Sequence, residues 1–201
     1  MQERLRQFLR QVNLLTPDEI GTLAAAVQAK EVRKGDVFLR RGGVCREVIF
    51  IAEGVMRISE IIGGTEATIW FLKEDQFFTE PESFNSQRPT TVEITAVTDC
   101  RYLALTYETF TRFYATLPNF PKLFQRLTND AFLQKVKYRN LLLQCDAKTR
   151  YETFAKETPD LLRRVPLGFV ASYLGITPQS LSRLRRGQLA NVAPKKRRSV
   201  A

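Results

Sequence analysis

Ala171-Ser172-Tyr173-Leu174-Gly175-Ile176-Thr177-Pro178-Gln179-Ser180-Leu181-Ser182-Arg183 is the stretch on which the reading of the chain turns. Phe169, Val170, Ala171, Tyr173 and Leu174 make one amphipathic helix. Gly175-Ile176-Thr177 is a short turn, and a second helix runs from Pro178 to Arg186 with Thr177 as N-cap and proline at its first position. Two short helices that cross steeply need a small side chain where their axes approach, which Ala171 supplies. They also need a residue tolerant of positive φ at the turn, which Gly175 supplies, and buried anchors at Ile176, Leu181 and Leu184. The second helix then presents Gln179, Ser180, Ser182, Arg183 and Arg186 outward. Such a polar, basic helix suits a DNA major groove. Glutamine pairs with adenine and arginine with guanine edges, while Thr177, Ser180 and nearby backbone N–H groups hold phosphate.

The charge distribution points the same way. The 201 residues carry 31 Lys+Arg against 21 Asp+Glu, a formal net charge of +10. Nine of those basic residues lie between Leu161 and Ala201, where there is no acidic one; 22 basic and all 21 acidic side chains remain in the rest. A nearly neutral body thus carries a strongly basic last fifth, as expected of a chain whose C-terminal end meets a polyanion.

Composition excludes several classes. Hydrophobic residues at 44% and charged at 26% are ordinary for a folded protein of one or two domains. No apolar run approaches a membrane span, and Met1 to Arg10 has no signal-peptide core. Cys45, Cys100 and Cys145 are odd in number and far apart, which suits reduced thiols in a cytoplasm rather than a disulfide framework. The complete absence of histidine removes Ser-His-Asp and Cys-His nucleophiles and every histidine-containing zinc site. Three lone cysteines cannot build a four-cysteine metal or iron–sulfur site. No catalytic constellation, no metal site and no cofactor is proposed by the residues.

Upstream, Arg4 to about Ala29 reads as helix, broken at Thr16-Pro17. From Lys30 to about Leu105 the hydrophobic period is two, with turns at Lys34-Gly35-Asp36, Gly42-Gly43 and Gly63-Gly64; this spells an antiparallel all-β sandwich or roll. Thr106 starts a short helix ending near Leu117-Pro118, and Pro121 opens a long one to about Gln144. Its apolar positions, Leu123, Phe124, Leu127, Ala131, Phe132, Val136, Tyr138, Leu141 and Leu142, make a stripe broader than the cover of one small β-domain requires; the helix either packs the core alone or also pairs with a second copy of the chain, met through Leu123, Phe124, Leu127, Ala131, Tyr138 and Leu141. Ala147 to Lys156, Thr158-Pro159-Asp160 and Val165-Pro166 begin further helices. The domains expected are 1–118 (sensor), 119–145 (dimerisation helix) and 146–190 (helix-turn-helix), followed by a basic, disordered tail at 191–201.

This order of elements resembles the Crp/Fnr superfamily of bacterial transcription regulators over nearly the whole chain, and most resembles the variants common in Bacteroidetes-type bacteria. The resembling segments are Arg33-Lys34-Gly35-Asp36, Ile49-Phe50-Ile51-Ala52-Glu53-Gly54 and the helix-turn-helix stretch from Ala171 to Arg183. The resemblance implies an α+β fold: a cyclic-nucleotide-binding-type antiparallel β-roll with flanking helices, a long dimerisation helix, and a C-terminal winged-helix-like domain whose wing is reduced. It implies double-stranded DNA and a second copy as partners, RNA polymerase as a further one, a cytoplasmic location and no membrane contact. It places Pro178, Gln179 and Arg183 at base-facing positions, with Thr177, Ser180 and Arg186 near the backbone.

The family's sensing site is a phosphate-binding cassette in which a short helix begins Gly-Glu and an Arg-Ser or Arg-Thr pair follows. Here Glu80 matches the ribose-binding carboxylate and Thr91 the hydroxyl, but the glycine position is Thr79 and the arginine position is Thr90. Threonine cannot replace a bidentate guanidinium on phosphate, Pro81 removes a backbone donor, and Arg88 approaches past the stiff Pro89. The expectation is a degenerate pocket of Thr79, Glu80, Arg88, Thr90 and Thr91 that does not take cyclic AMP. The competing reading is a small-ligand-binding or protein-interaction module without sequence-specific DNA binding.

Overall fold

The computed structural model describes the backbone of residues 1–192 and side chains through Arg186. The expected reduced wing and basic tail fall on or beyond residue 187 and lie largely outside the described residues. The chain divides into two compact units, Met1–Tyr138 and Arg139–Ala201.

The first unit opens with α1 (Gln2–Val12) and α2 (Pro17–Ala26). Thr16 starts α2 through a complete capping box. Its hydroxyl accepts from the Glu19 N–H, and the Glu19 carboxylate accepts from the Thr16 N–H at 2.8 Å. The same carboxylate accepts from the backbone and side-chain nitrogens of Asn119, both at 3.0 Å, so one buried side chain ties α2 to the start of a helix a hundred residues away. Burial pushes the Glu19 carboxyl up, but the hydrogen bonds from Thr16 and Asn119 outweigh it and hold it below its ordinary 4.5. Glu19→Ala strands three donors and is expected to lower stability by about 2–3 kcal/mol at neutral pH. Because the folded-state value is depressed, this stabilisation is present above pH 4.5 and is lost as pH falls through the folded value. Urea unfolding of both proteins should therefore show a gap that is full at pH 7 and narrows in acid; a gap of constant size would refute the charged role.

The roll follows as β1 (Gln28–Val32), β2 (Val37–Leu39), β3 (Glu47–Glu53), β4 (Met56–Ile62), β5 (Thr65–Leu72) and β6 (Phe77–Phe78). After α3 (Pro81–Ser86) come β7 (Glu93–Ala96) and β8 (Cys100–Thr106). Two antiparallel four-stranded sheets result, ordered β1-β8-β3-β6 and β2-β7-β4-β5. β3 is buried from Val48 to Ala52, both faces included, because one face looks into the roll while α1 and α4 (Tyr107–Thr116) contact the strand from outside; this is why it reads as a continuous apolar run. Phe8 of α1, Phe50 of β3 and Phe77 of β6 form a cluster with centroids 5.1–5.7 Å apart. Gly63-Gly64 makes the β4–β5 hairpin with both glycines at positive φ. The antiparallel roll with flanking helices is the fold expected from the alternation. The first helical region is shorter than expected: β1 begins at Gln28, paired with Ala104, because the β8 ladder overrides the helix propensity of the preceding alanines.

The long helix α5 (Phe120–Gln144) links the two units. The second unit contains α6 (Ala147–Glu157), α7 (Pro159–Arg164), α8 (Leu167–Tyr173) and α9 (Pro178–Val192) around a core of Tyr151, Phe154, Leu161, Val170, Leu174 and Leu181. α9 extends past the expected end at Arg186, and past the expected domain boundary at 190, to Val192.

Candidate functional site

In the second unit, α8 and α9 are joined as the sequence requires. Ala171 is fully buried, its carbonyl accepting from the Ile176 N–H at 3.0 Å, and Gly175 takes φ 63°. The Thr177 hydroxyl caps α9 by accepting from the Ser180 N–H at 3.1 Å and itself donates to Ser180 Oγ at 3.0 Å. Leu181 is fully buried, while Ile176 and Leu184 are only half-buried. Arg150 of α6 braces the turn: its Nη1 donates to the Leu174 carbonyl at 2.8 Å and lies against Gly175. Pro178, Gln179, Arg183 and Arg186 are exposed, and Ser180 and Ser182 are half-exposed. The expected base-facing and phosphate-facing residues are thus accessible, in a segment from Leu161 onward that has no acidic residue.

α5 carries two apolar stripes whose members stand three, four or seven residues apart. One, through Phe120, Phe124, Leu127, Ala131 and Tyr138, faces the roll. Phe124 sits 4.6 Å from the Phe110 ring and Tyr138 5.7 Å from Trp70. Leu123, beside this stripe, is 2% exposed and sealed in the unit's own core. Leu141 lies in the second unit, half-buried. The other stripe runs through Phe132, Val136 and Leu143, with Leu133 adjoining. Phe132 is 63% exposed, Leu133 55% and Leu143 70%. The residues expected to meet a second copy therefore lie mostly on the side of the helix that packs on its own chain.

The cassette between β6 and β7 is internally satisfied. Glu80 is the N-cap of α3, its carboxylate accepting from the Ser83 N–H at 2.6 Å and the Glu82 N–H at 3.4 Å. Thr79 donates to the Glu47 carbonyl at 3.0 Å. Thr90 exchanges backbone hydrogen bonds with Gly42 and Gly43, and its hydroxyl accepts from the Val92 N–H. Thr91 donates to Glu60 at 2.7 Å, and Arg41 donates to the Thr91 carbonyl. Arg88 is exposed, with its carbonyl held by Ser83. Thr79, Glu80, Thr90 and Thr91 each spend polar groups on the fold.

Residues 29–116, from β1 to the end of α4, match the sequence profile of the cyclic nucleotide-binding domain. No curated protein matches the chain by sequence. Among solved structures, FixK2 from Bradyrhizobium japonicum superposes with a TM-score of 0.72 at 15% identity, covering 82% of this chain and 85% of that one. The c-di-GMP-responsive global regulator CLP from Xanthomonas campestris gives 0.70 at 14%, covering 88% and 93%. A protein assigned to the Crp/Fnr family of transcriptional regulators, from Eubacterium rectale, gives 0.69 at 14%, covering 92% and 88%. At these identities the likeness shows a shared fold alone.

Within residues 29–116 sequence reading missed a half-buried ion pair, with Arg57 buried and Glu66 exposed. Arg57 of β4 is 5% exposed; its Nε donates to Thr68 Oγ1 at 2.7 Å and its Nη1 to Glu66 at 3.0 Å, while Ser59 donates to the same carboxylate at 2.9 Å. Burial raises the Glu66 carboxyl, but the bonds from Ser59 and Arg57 bring it below its ordinary value. The available signal was an arginine set inside the otherwise apolar run Val55-Met56-Arg57-Ile58. Among the described residues, no group of side chains has metal-ligand geometry, and no helix is long and apolar enough to cross a membrane.

Proposed function

We propose that the chain is a DNA-binding transcription regulator of the Crp/Fnr type, working as a homodimer in the cytoplasm with RNA polymerase as a further partner. Its cassette does not take cyclic AMP. The observation that carries this is the accessible face of α9: a capped helix presenting Gln179, Ser182, Arg183 and Arg186, in a segment with basic and no acidic side chains. Thr177, Pro178 and Ser180 stand at the α9 N-terminus, where exposed N–H groups and the helix dipole favour phosphate. In a two-fold dimer, two such helices enter successive major grooves of a near-palindromic site about 34 Å apart. The self-satisfied Glu80 and Thr90, with no guanidinium at position 90, support the cassette half of the reading.

Arg183→Ala tests the base-reading role. Against a site selected from genomic fragments, it is expected to cost about 1–3 kcal/mol of specific binding and relax preference at one base pair, while binding to random DNA hardly changes. Equal losses on both DNAs would remove the base-reading role. If selection yields no tight site at any salt concentration, the chain is a ligand or protein-interaction module instead.

A further inference from the structure

The first unit contains a cavity of about 340 Å³ between the roll and α5, within the range of small-molecule sites. Its walls are Trp70 and Leu72 of β5, Phe77 and Phe78 of β6, and Phe124 and Leu127 of α5. Most polar side chains on its lining are committed elsewhere. Asp75 is clamped by Arg4 at 2.6 and 2.7 Å, and Asp130 by Arg126 at 2.8 Å. The Thr79 and Thr128 hydroxyls donate to the carbonyls of Glu47 and Phe124, and the Gln76 amide oxygen accepts from the Lys73 N–H. Lys135 is different: it is exposed, contributes to the lining and has no ion-pair partner among the described residues.

An apolar chamber with one uncommitted cation at its edge selects an amphipathic anion. A nucleotide is poorly matched, because its phosphate finds a single exposed ammonium instead of a guanidinium fork, although the Asn85 and Gln134 amides also line the cavity. A second copy of the chain is better served by the opposite stripe of α5, through Phe132, Val136 and Leu143. We infer that this cavity binds a medium-chain carboxylate, its alkyl chain lying against Trp70, Phe78 and Leu127 and its carboxylate reaching Lys135. The site is separate from the DNA-facing helix, so its test does not depend on that reading.

Trp70 is the only tryptophan in the chain, so its emission reports occupancy directly. Decanoate, decanol and cyclic AMP are titrated into the full-length protein below the micelle concentration, with DNA binding measured separately on the same preparation. Decanoate should give a saturable change at about a tenfold lower concentration than decanol, which is one ion pair's worth of preference in a partly desolvated site; cyclic AMP should give none. Lys135→Gln should erase the tenfold preference and leave decanol binding intact. Ala131→Phe, which fills the cavity from α5, should abolish both titrations. No saturable decanoate signal, or one that survives Ala131→Phe, overturns the inference. So does conversion of a dimer to a monomer by Ala131→Phe, since the cavity would then belong to the interface between copies. Loss of DNA binding with the fluorescence titrations intact would fault only the regulator reading.

Discussion

Gly54→Ala is expected to destabilise the Met1–Tyr138 unit by about 3–5 kcal/mol. Gly54 joins β3 to β4 at φ 104°, a backbone state that side chains rarely adopt. A Cβ there would stand 2.5 Å from both the Asp99 carbonyl oxygen and Cys100 Sγ, and 2.8 Å from Cys100 Cα. Neither obstacle is the loose end of a flexible side chain. Cys100 is buried, its thiol donating to the Val55 carbonyl at 3.4 Å, and Asp99 is the residue just before β8. The connection cannot simply swing aside either. The Gly54 N–H donates to Glu74 at 2.7 Å and the Val55 N–H to Thr98 Oγ1 at 2.9 Å, so relief of the clash would break bonds on both sides. Gly63→Ala is the matched control: its φ is 58° and nothing lies within 4 Å of its new Cβ, so it should cost about 1 kcal/mol. Urea unfolding followed by Trp70 emission reads this unit alone. A Gly54→Ala midpoint no lower than that of Gly63→Ala would show that the close approach is not a constraint.

That contrast shows what a sequence can and cannot disclose. Gly54 was visible as the end of the resembling segment Ile49 to Gly54. The contact with Cys100 was not, because residues 46 apart in sequence meet only through sheet pairing. The same division holds elsewhere. Thr16-Pro17, Thr106 and Thr177-Pro178 announced helix starts through local capping chemistry. The start of β1 did not announce itself, since the Ala24-Ala25-Ala26 run favours helix and only the ladder with β8 ends it. In the cassette, the departures at Thr79 and Thr90 were readable. That Glu80 would turn its carboxylate onto its own helix depended on the path of the chain from Pro81 to Ser86. Arg57 was overlooked because strand alternation assigns a charged residue to solvent, whereas Thr68 and Glu66 give it partners across the hairpin and Ser59 of its own strand donates to the same Glu66.

The two stripes of α5 carry the largest functional consequence of this kind. Both repeat every seven residues, so periodicity alone shows two seams and does not say which one the roll takes. The structure gives the roll the stripe through Phe124, Leu127 and Tyr138, leaving Phe132, Val136 and Leu143 for the proposed homodimer. An isologous two-fold contact along α5 would set each chain's Phe132 stripe against its mate's, so Phe132→Glu would insert two like charges into one apolar seam. The expected result is a monomer by sedimentation at concentrations where the unaltered protein is a dimer. Specific DNA affinity should fall by about 10²–10⁴, because the second half-site is then no longer engaged at the high effective concentration that the first one creates. Phe132 is 63% exposed in the single chain, so the substitution should leave the thermal stability of the roll almost unchanged, within about 0.5 kcal/mol. Leu123→Ala should do the reverse: its side chain is 2% exposed, so it should destabilise the unit by about 2–4 kcal/mol while the folded fraction keeps its oligomeric state. If Phe132→Glu stays dimeric and Leu123→Ala dissociates, the two seams have been assigned the wrong way round.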